Sequence, residues 1–589
     1  MSPTALLSSP VLALVPAGLR GWFDADPGRY WAIAWIAWAL LSLVALVQLA
    51  REWHAGAALT TKLPAWFSRP WCFAAVVIMA VVAFRWPMLL AGPLDNPDET
   101  QMGAGALTYW HDPVPWRSVD LHNAGPLDAY ILWPARLLTG SITYPGLRLT
   151  ALALHLITAL AGYGLLRRFA SEGVARLGAL PLIAFVAFTS HWEYVQYSSE
   201  QLSVALLAVG AWLLAAAATS TAQDGADQRL RWYLAGFCLG CLPFAKTQAV
   251  PMGLAIGLLG MVAAWLAGAP PTPRRVHRLV ALLGGALTPA AVFALVISLY
   301  GLWAQFHASY IEAGSLYMLG YEEARENAVR NFWSMFLEYN HSFRTFAYGA
   351  LASLVAAALF GGIPRLQPRR LLAAVIALLA LAAWTAIYPA RPFWHYLQFL
   401  LPPLGSVAGL SLASYLSVAQ ATVPPRWLAT VRWLAVIVFA ALALLPQAAS
   451  RAQDRHPAVG QLEAARLRSL HPVSAKLREL SHPGDTLLVW GWFPRLHLET
   501  GLAQAVRDAH TARAIEPQPM RRFYRDRILR DLAKHPATYI VDAVCAGAFT
   551  YHDRAEAGPA VFPEFAALLE KQYRLVAEID GFRIYRRAD

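Results

Sequence analysis

Runs of about twenty apolar residues recur along this chain as far as about residue 447 and then stop. As a helix, such a run spans the hydrocarbon core of a bilayer and satisfies its own backbone N–H and C=O groups, which no irregular segment can do in lipid. The runs begin near Trp31, Trp71, Pro145, Leu177, Leu202, Trp232, Val250, Leu279, Phe346, Leu371, Trp394 and Trp427, about twelve in all. Composition agrees, since 57% hydrophobic against 14% charged residues excludes an ordinary soluble domain. The expected fold class is a polytopic α-helical membrane protein with about 12 transmembrane helices and a small C-terminal extracytoplasmic α/β domain.

Three regions follow. Residues 1–70 form an N-terminal segment with an extra transmembrane helix; residues 71–447 form the main transmembrane domain; residues 448–589 form the hydrophilic tail. In the tail, "DTLLVWG" and "ATYIVDAV" predict strands, "RRFYRDRILRDLAKH" and "FPEFAALLEKQY" predict helices, and "YRLVAEIDGFRIYRR" predicts a closing hairpin. It has no glycine-rich nucleotide motif. Cys72, Cys238 and Cys241 lie in apolar spans and Cys545 stands alone in the tail, so no disulfide framework is expected.

Loop charge gives orientation. One alternating set of loops, including Arg51, Arg167, Arg168, Arg274 and Arg426, holds about fifteen Lys and Arg, whereas the opposite set holds about six. The richer set belongs on the cytoplasmic side. This places outside the first long loop (91–144), the aromatic loop (304–344) and the tail. The net charge of +12 reflects this asymmetry and gives no warrant for nucleic-acid binding. The aromatic loop has the amphipathic pattern of helices that lie on a membrane surface.

The first outer loop concentrates the ionisable residues, and "NPDETQ" puts Asp98 and Glu99 just beyond the span at 71–90. Asn96, Pro97 and Glu99 also suit a helix start, as N-cap, first helical residue and capping-box acid. Neighbouring side chains on a helix point in different directions, so the two carboxylates are not expected to serve one proton. Lys246 is the only lysine between Lys62 and Lys476 and sits at a short outer turn. Arg85 lies inside an apolar span, where it should meet a carboxylate or phosphate.

With Arg85 and the acidic pair, "DLHNAGPLDAY" from Asp120, "YSSEQLSVALL" from Tyr197, "FAKTQA" around Lys246, "RPFWHYLQFLLPPL" from Arg391 and "VWGWFPRLHLETG" from Val489 follow in order. This series resembles the GT-C superfamily of polyprenyl-phosphate-sugar-dependent glycosyltransferases, of the glycosyltransferase family 39 type, which includes protein O-mannosyltransferases and aminoarabinose transferases. Two departures stand out: Gln101 and Met102 replace an arginine and tyrosine common after the acidic pair, and "NAGP" replaces a Pro-Pro.

The resemblance implies an inverting transfer of a sugar from a polyprenyl-phosphate donor to a hydroxyl of an extracytoplasmic glycan, lipid or protein at a bacterial cytoplasmic membrane. Asp98 and Glu99 are the candidate catalytic carboxylates. Lys246, Arg85, Arg136 and Arg391 are candidates for the donor phosphate; Asp120, His122, Glu193, Glu200, His395 and Tyr396 are candidates for substrate contact. No obligatory cofactor or metal is expected, and the lipid-linked sugar is itself a substrate. Two alternatives remain: a secondary transporter, which intramembrane charge would also suit, and a glycan polymerase or ligase using a lipid-pyrophosphate donor.

Overall fold

A computed structural model describes residues 16–588 except 54–63, 91–96, 221–225, 267–271, 320–325, 338–340, 361–366 and 454–469. A helix stands at each expected span. Among the described residues nine are long and apolar enough to cross a membrane, from Pro27–Trp53 to Pro425–Gln453. Three are shorter. Glu172–Phe188, with 17 residues, is almost wholly buried between its neighbours; Ala226–Gly240 has 15; and Gln367–Ile387 carries the apolar stretch Leu371–Ile387. The chain is a multi-span membrane protein.

Lipid offers no hydrophobic drive for helix association, so close backbone approach at small residues does much of the work. The helices Ala226–Gly240 and Thr272–Leu299 show it. A Cβ added to Gly236 would lie 1.9 Å from the Leu282 carbonyl oxygen, and one on Gly285 would lie 2.0 Å from that of Tyr233. The four cysteines are free thiols.

The tail carries a five-stranded sheet of order β2-β1-β3-β5-β4, made of β1 Thr486–Trp490, β2 Ala503–Gln504, β3 Tyr539–Asp542, β4 Tyr573–Ile579 and β5 Phe582–Arg587. β1 runs parallel to β2 and β3, while β5 is antiparallel to β3 and β4. The expected strands and hairpin are present, with the helices Arg521–Lys534 and Pro563–Gln572 between them. The hairpin turns at Asp580 and Gly581, both at positive φ (51° and 84°), the geometry an Asp-Gly pair favours. β2 has no counterpart in the sequence reading; two residues are too few to leave a pattern.

The aromatic loop joins the two halves. Its helical stretch from Trp303 to Leu319 sends Tyr310 to the Pro243 carbonyl (2.7 Å) and Ser309 to Arg527 (2.8 Å), and it packs Ala313 into the core under β1. The amphipathic helix Ala328–Leu337 buries Phe332, Met335 and Phe336 and exposes Val329 and Trp333.

Because the Gly236 contact is to backbone, Gly236→Leu should force the two helices apart and cost about 1–3 kcal/mol. The check is a lowered melting temperature of the detergent-solubilised protein. An unchanged value would mean that the crossing is not under this constraint.

Candidate active site

Segments far apart in the chain, five of them carrying most of its polar groups, converge on one cavity of about 530 Å³. Asp98 comes from the first turn of the helix Asp98–His111, Glu193 from the one-turn helix Trp192–Val195, and Lys246 from the junction of two short 3-10 turns. His395 and Tyr396 come from the 3-10 stretch Trp394–Leu400, just after Arg391. The fifth segment is the tail, which contributes Trp492, His510 and Arg513.

The charges interlock. Glu193 Oε2 lies 2.8 Å from His395 Nδ1, which holds a proton on that nitrogen and directs Nε2 toward Asp98 Oδ2, 4.0 Å away. Glu200 Oε1 is 2.8 Å from Lys246 Nζ and 4.0 Å from His395 Nε2. Lys246 also donates to Ser199 Oγ at 2.7 Å. Of these groups Asp98 is the open one, its side chain 35% exposed against 5% for His395. Burial raises the Asp98 pKa above the usual carboxylate value; His395 and Lys246 oppose this, and Glu193 and Glu200 add to it.

Lys246 owes its place to a close approach. Gly125 donates its N–H to the Ala245 carbonyl, and a Cβ on Gly125 would fall 2.0 Å from the Phe244 oxygen. The glycine of "NAGP" is therefore what lets the 91–144 loop pack directly on the lysine turn.

Asp98, His122, Glu193, Lys246, Arg391, His395 and Tyr396 all line the cavity, with Glu200 directly behind Lys246. The other candidates do not line it. Glu99 points into the helix bundle, where both its oxygens lie 3.2 Å from the Arg148 guanidinium and one accepts the Tyr197 N–H. It caps no helix start, in contrast to the capping-box expectation; Thr100 Oγ1 instead bonds the Pro97 carbonyl (2.8 Å), and Asn96 lies outside the described residues. Arg85 meets no carboxylate among the described residues. It donates to the carbonyls of Val186 (3.0 Å) and Tyr194 (3.1 Å), groups at helix ends that carry partial negative charge. Arg136 stacks on Trp110, its guanidinium 4.4 Å from the ring centre.

Asp120 sits behind the cavity in a buried bridge. Arg527 reaches Asp120 (2.7 Å) and both oxygens of Asp508 (2.7 and 2.8 Å); Asp508 meets His122 Nε2 (2.8 Å), and Asp120 accepts the His122 N–H (2.9 Å). Burial alone would raise both aspartate pKa values; Arg527 more than offsets it and holds both below the carboxylate range. His122 is at φ +60°, a strained value that the bridge holds in place.

Sequence reasoning missed the tail's share. Gln101, which replaces the expected arginine, accepts from His510 (3.1 Å) and meets His122 (3.4 Å), and His510 stacks on Trp492. Arg513 donates to Asn123 (2.8 Å). "VWGWFPRLHLETG" marked Trp492's neighbourhood, but nothing in the spacing of His510 or Arg513 pointed back to the first loop. Among the described residues no three His, Cys, Asp or Glu side chains converge as a metal site.

No family model and no curated protein sequence matches the chain. Solved structures do. ArnT from Cupriavidus metallidurans bound to undecaprenyl phosphate superposes with a TM-score of 0.53 at 14% identity, covering 87% of this chain and 97% of that one; its apo form gives the same values. The oligosaccharyltransferase AglB from Archaeoglobus fulgidus has a TM-score of 0.43 at 13% identity, over 89% of this chain and 75% of that one.

Arg527→Met leaves two buried aspartates without their cation and should cost about 3–5 kcal/mol. Faster hydrogen exchange in the 505–535 segment, with the bundle unaffected, is the expected reading. With 14% identity but coverage of nearly the whole neighbour, what this chain shares with ArnT is architecture: it has the GT-C fold.

Proposed function

We propose that the chain is an inverting membrane glycosyltransferase that moves a sugar from a polyprenyl-phosphate donor to an acceptor hydroxyl, on the outer face of a bacterial cytoplasmic membrane. One observation carries this reading: an open carboxylate, Asp98, faces the same cavity as the cations Lys246 and Arg391. ArnT, the structural neighbour, binds undecaprenyl phosphate, and a donor of that chemistry would present a phosphate to those cations.

In the proposed reaction Asp98 takes the acceptor's proton as the hydroxyl oxygen attacks the anomeric carbon. The bond from that carbon to the phosphate oxygen breaks from the opposite face, and its electron pair leaves with the lipid phosphate. Lys246 and Arg391 stabilise the charge that develops there. Glu193 holds His395 Nε2 toward Asp98, and the His395 charge favours the ionised carboxylate, which is the form a base must have. Glu99 has no part in the proton transfer in this reading; with Arg148 it fixes the helix that carries Asp98.

Asp98→Asn should lower transfer from a polyprenyl-phosphate sugar by about 10²-fold or more while the protein still binds the donor. Lys246→Ala should chiefly weaken donor binding. Near-normal turnover by Asp98→Asn would falsify the assignment of the base.

The pH dependence has a definite sign. Asp98 must lose its proton to act, and its pKa is raised, so the acid limb of kcat/KM should lie above about pH 4, the ordinary carboxylate region. His395→Gln removes the largest opposing charge and should move that limb higher still. A limb that stays in place, or moves down, contradicts the coupling.

A further inference from the structure

A second polar cavity, of about 460 Å³, opens at the far end of the bundle. The helix Tyr144–Leu166 links the two ends: Arg148 grips Glu99 near the first cavity, and Arg168, twenty residues on, is about 30 Å away along the helix direction. Arg168 lines the second cavity with Arg432, Trp53, Ser171, Ser417 and Gln420, and no acidic residue is among the described residues that line it.

Arg432 lies inside the apolar span Pro425–Gln453, where an uncompensated charge is expensive. Its guanidinium stacks on Trp53 at 5.3 Å, and its Nε is buried without a hydrogen-bond partner among the described residues. The nearby carboxylates are committed elsewhere. Glu52 accepts from Ser171 Oγ (2.5 Å), Gly173 N–H (2.8 Å) and Gln48 (3.0 Å); Glu172 pairs with Arg167 (2.6 Å) and Arg176 (2.7 Å). Burial lowers the Arg168 pKa, and the cations Arg231 and Arg167 lower it further. Two arginines in a polar recess with no acidic side chain among the described residues of its lining, one of them set into a membrane span, form a receptor for an anion with several acceptor oxygens.

We propose that this cavity binds a phosphate group between Arg168 and Arg432, at the end of the bundle opposite the transfer site. Its size suits a phospholipid headgroup as well as free phosphate. The stacked Trp53 fits the interfacial level at which such headgroups lie. This site does not depend on the transfer reaction.

The test uses the full chain, delipidated in an uncharged detergent, and native mass spectrometry with phosphatidylglycerol or phosphatidylcholine. Wild type should retain one phosphatidylglycerol more than Arg168→Gln/Arg432→Gln, with the apparent affinity of that site at least about tenfold lower in the variant. Phosphatidylcholine should bind both proteins alike. Inorganic phosphate is the second probe: if it raises the melting temperature of wild type but not of the variant, and no lipid difference is seen, the ligand is a soluble anion. Should the double variant not fold, Ser417→Trp, which fills the recess and leaves both arginines, is read in the same way. Equal retention of phosphatidylglycerol, with equal response to phosphate, overturns the proposal.

Discussion

The site depends first on the buried bridge from Arg527 to Asp120 and Asp508. Asp120 belongs to the loop after the second span, Asp508 and Arg527 to the tail, so the bridge decides whether these parts form one cavity. Buried ions of this kind are costly unless all are matched, because each has given up its hydration. Here two carboxylates share one guanidinium, and His122 and Ser309 take up further contacts. The geometry is over-determined: His122 stays at an unfavourable φ, and His510 with Trp492 is pressed against Gln101.

Within that enclosure charge is divided by role. Lys246 and Glu200 form a closed pair, and Glu193 with His395 forms another, while Asp98 stands at 4.0 Å from the histidine and lines the cavity. A carboxylate in full contact with a cation would be a poor proton acceptor; one in no contact would have nothing to oppose the upward shift that burial gives its pKa. The intermediate distance leaves Asp98 between these limits. Glu99, its neighbour in sequence, is taken up by Arg148 and becomes part of the scaffold.

Much of this was legible in the chain. Period and length of the apolar runs gave the helices, since lipid leaves few alternatives, and alternation with an Asp-Gly turn gave the closing hairpin. Asp98, Lys246 and His395 could be found because each is a polar residue at the edge of a span. The same criterion also selected Arg85 and Arg136, because the sequence shows depth along a helix but not which side faces a cavity. Arg85 found carbonyls and Arg136 an indole. His510 and Arg513 were illegible for a different reason: their partners Gln101 and Asn123 lie about four hundred residues upstream, and only the tertiary fold joins them.

That separation also has a consequence in time. The chain is made from its N-terminus, and domains generally fold as their residues emerge. Asp98, Lys246 and His395 precede Trp492, His510 and Arg527 in the chain, so they emerge from the ribosome first. A nascent chain therefore holds a cavity with a floor and walls but no roof. The compartment around Asp98 closes only once the tail has been made as far as Arg527 and has docked on the first loop.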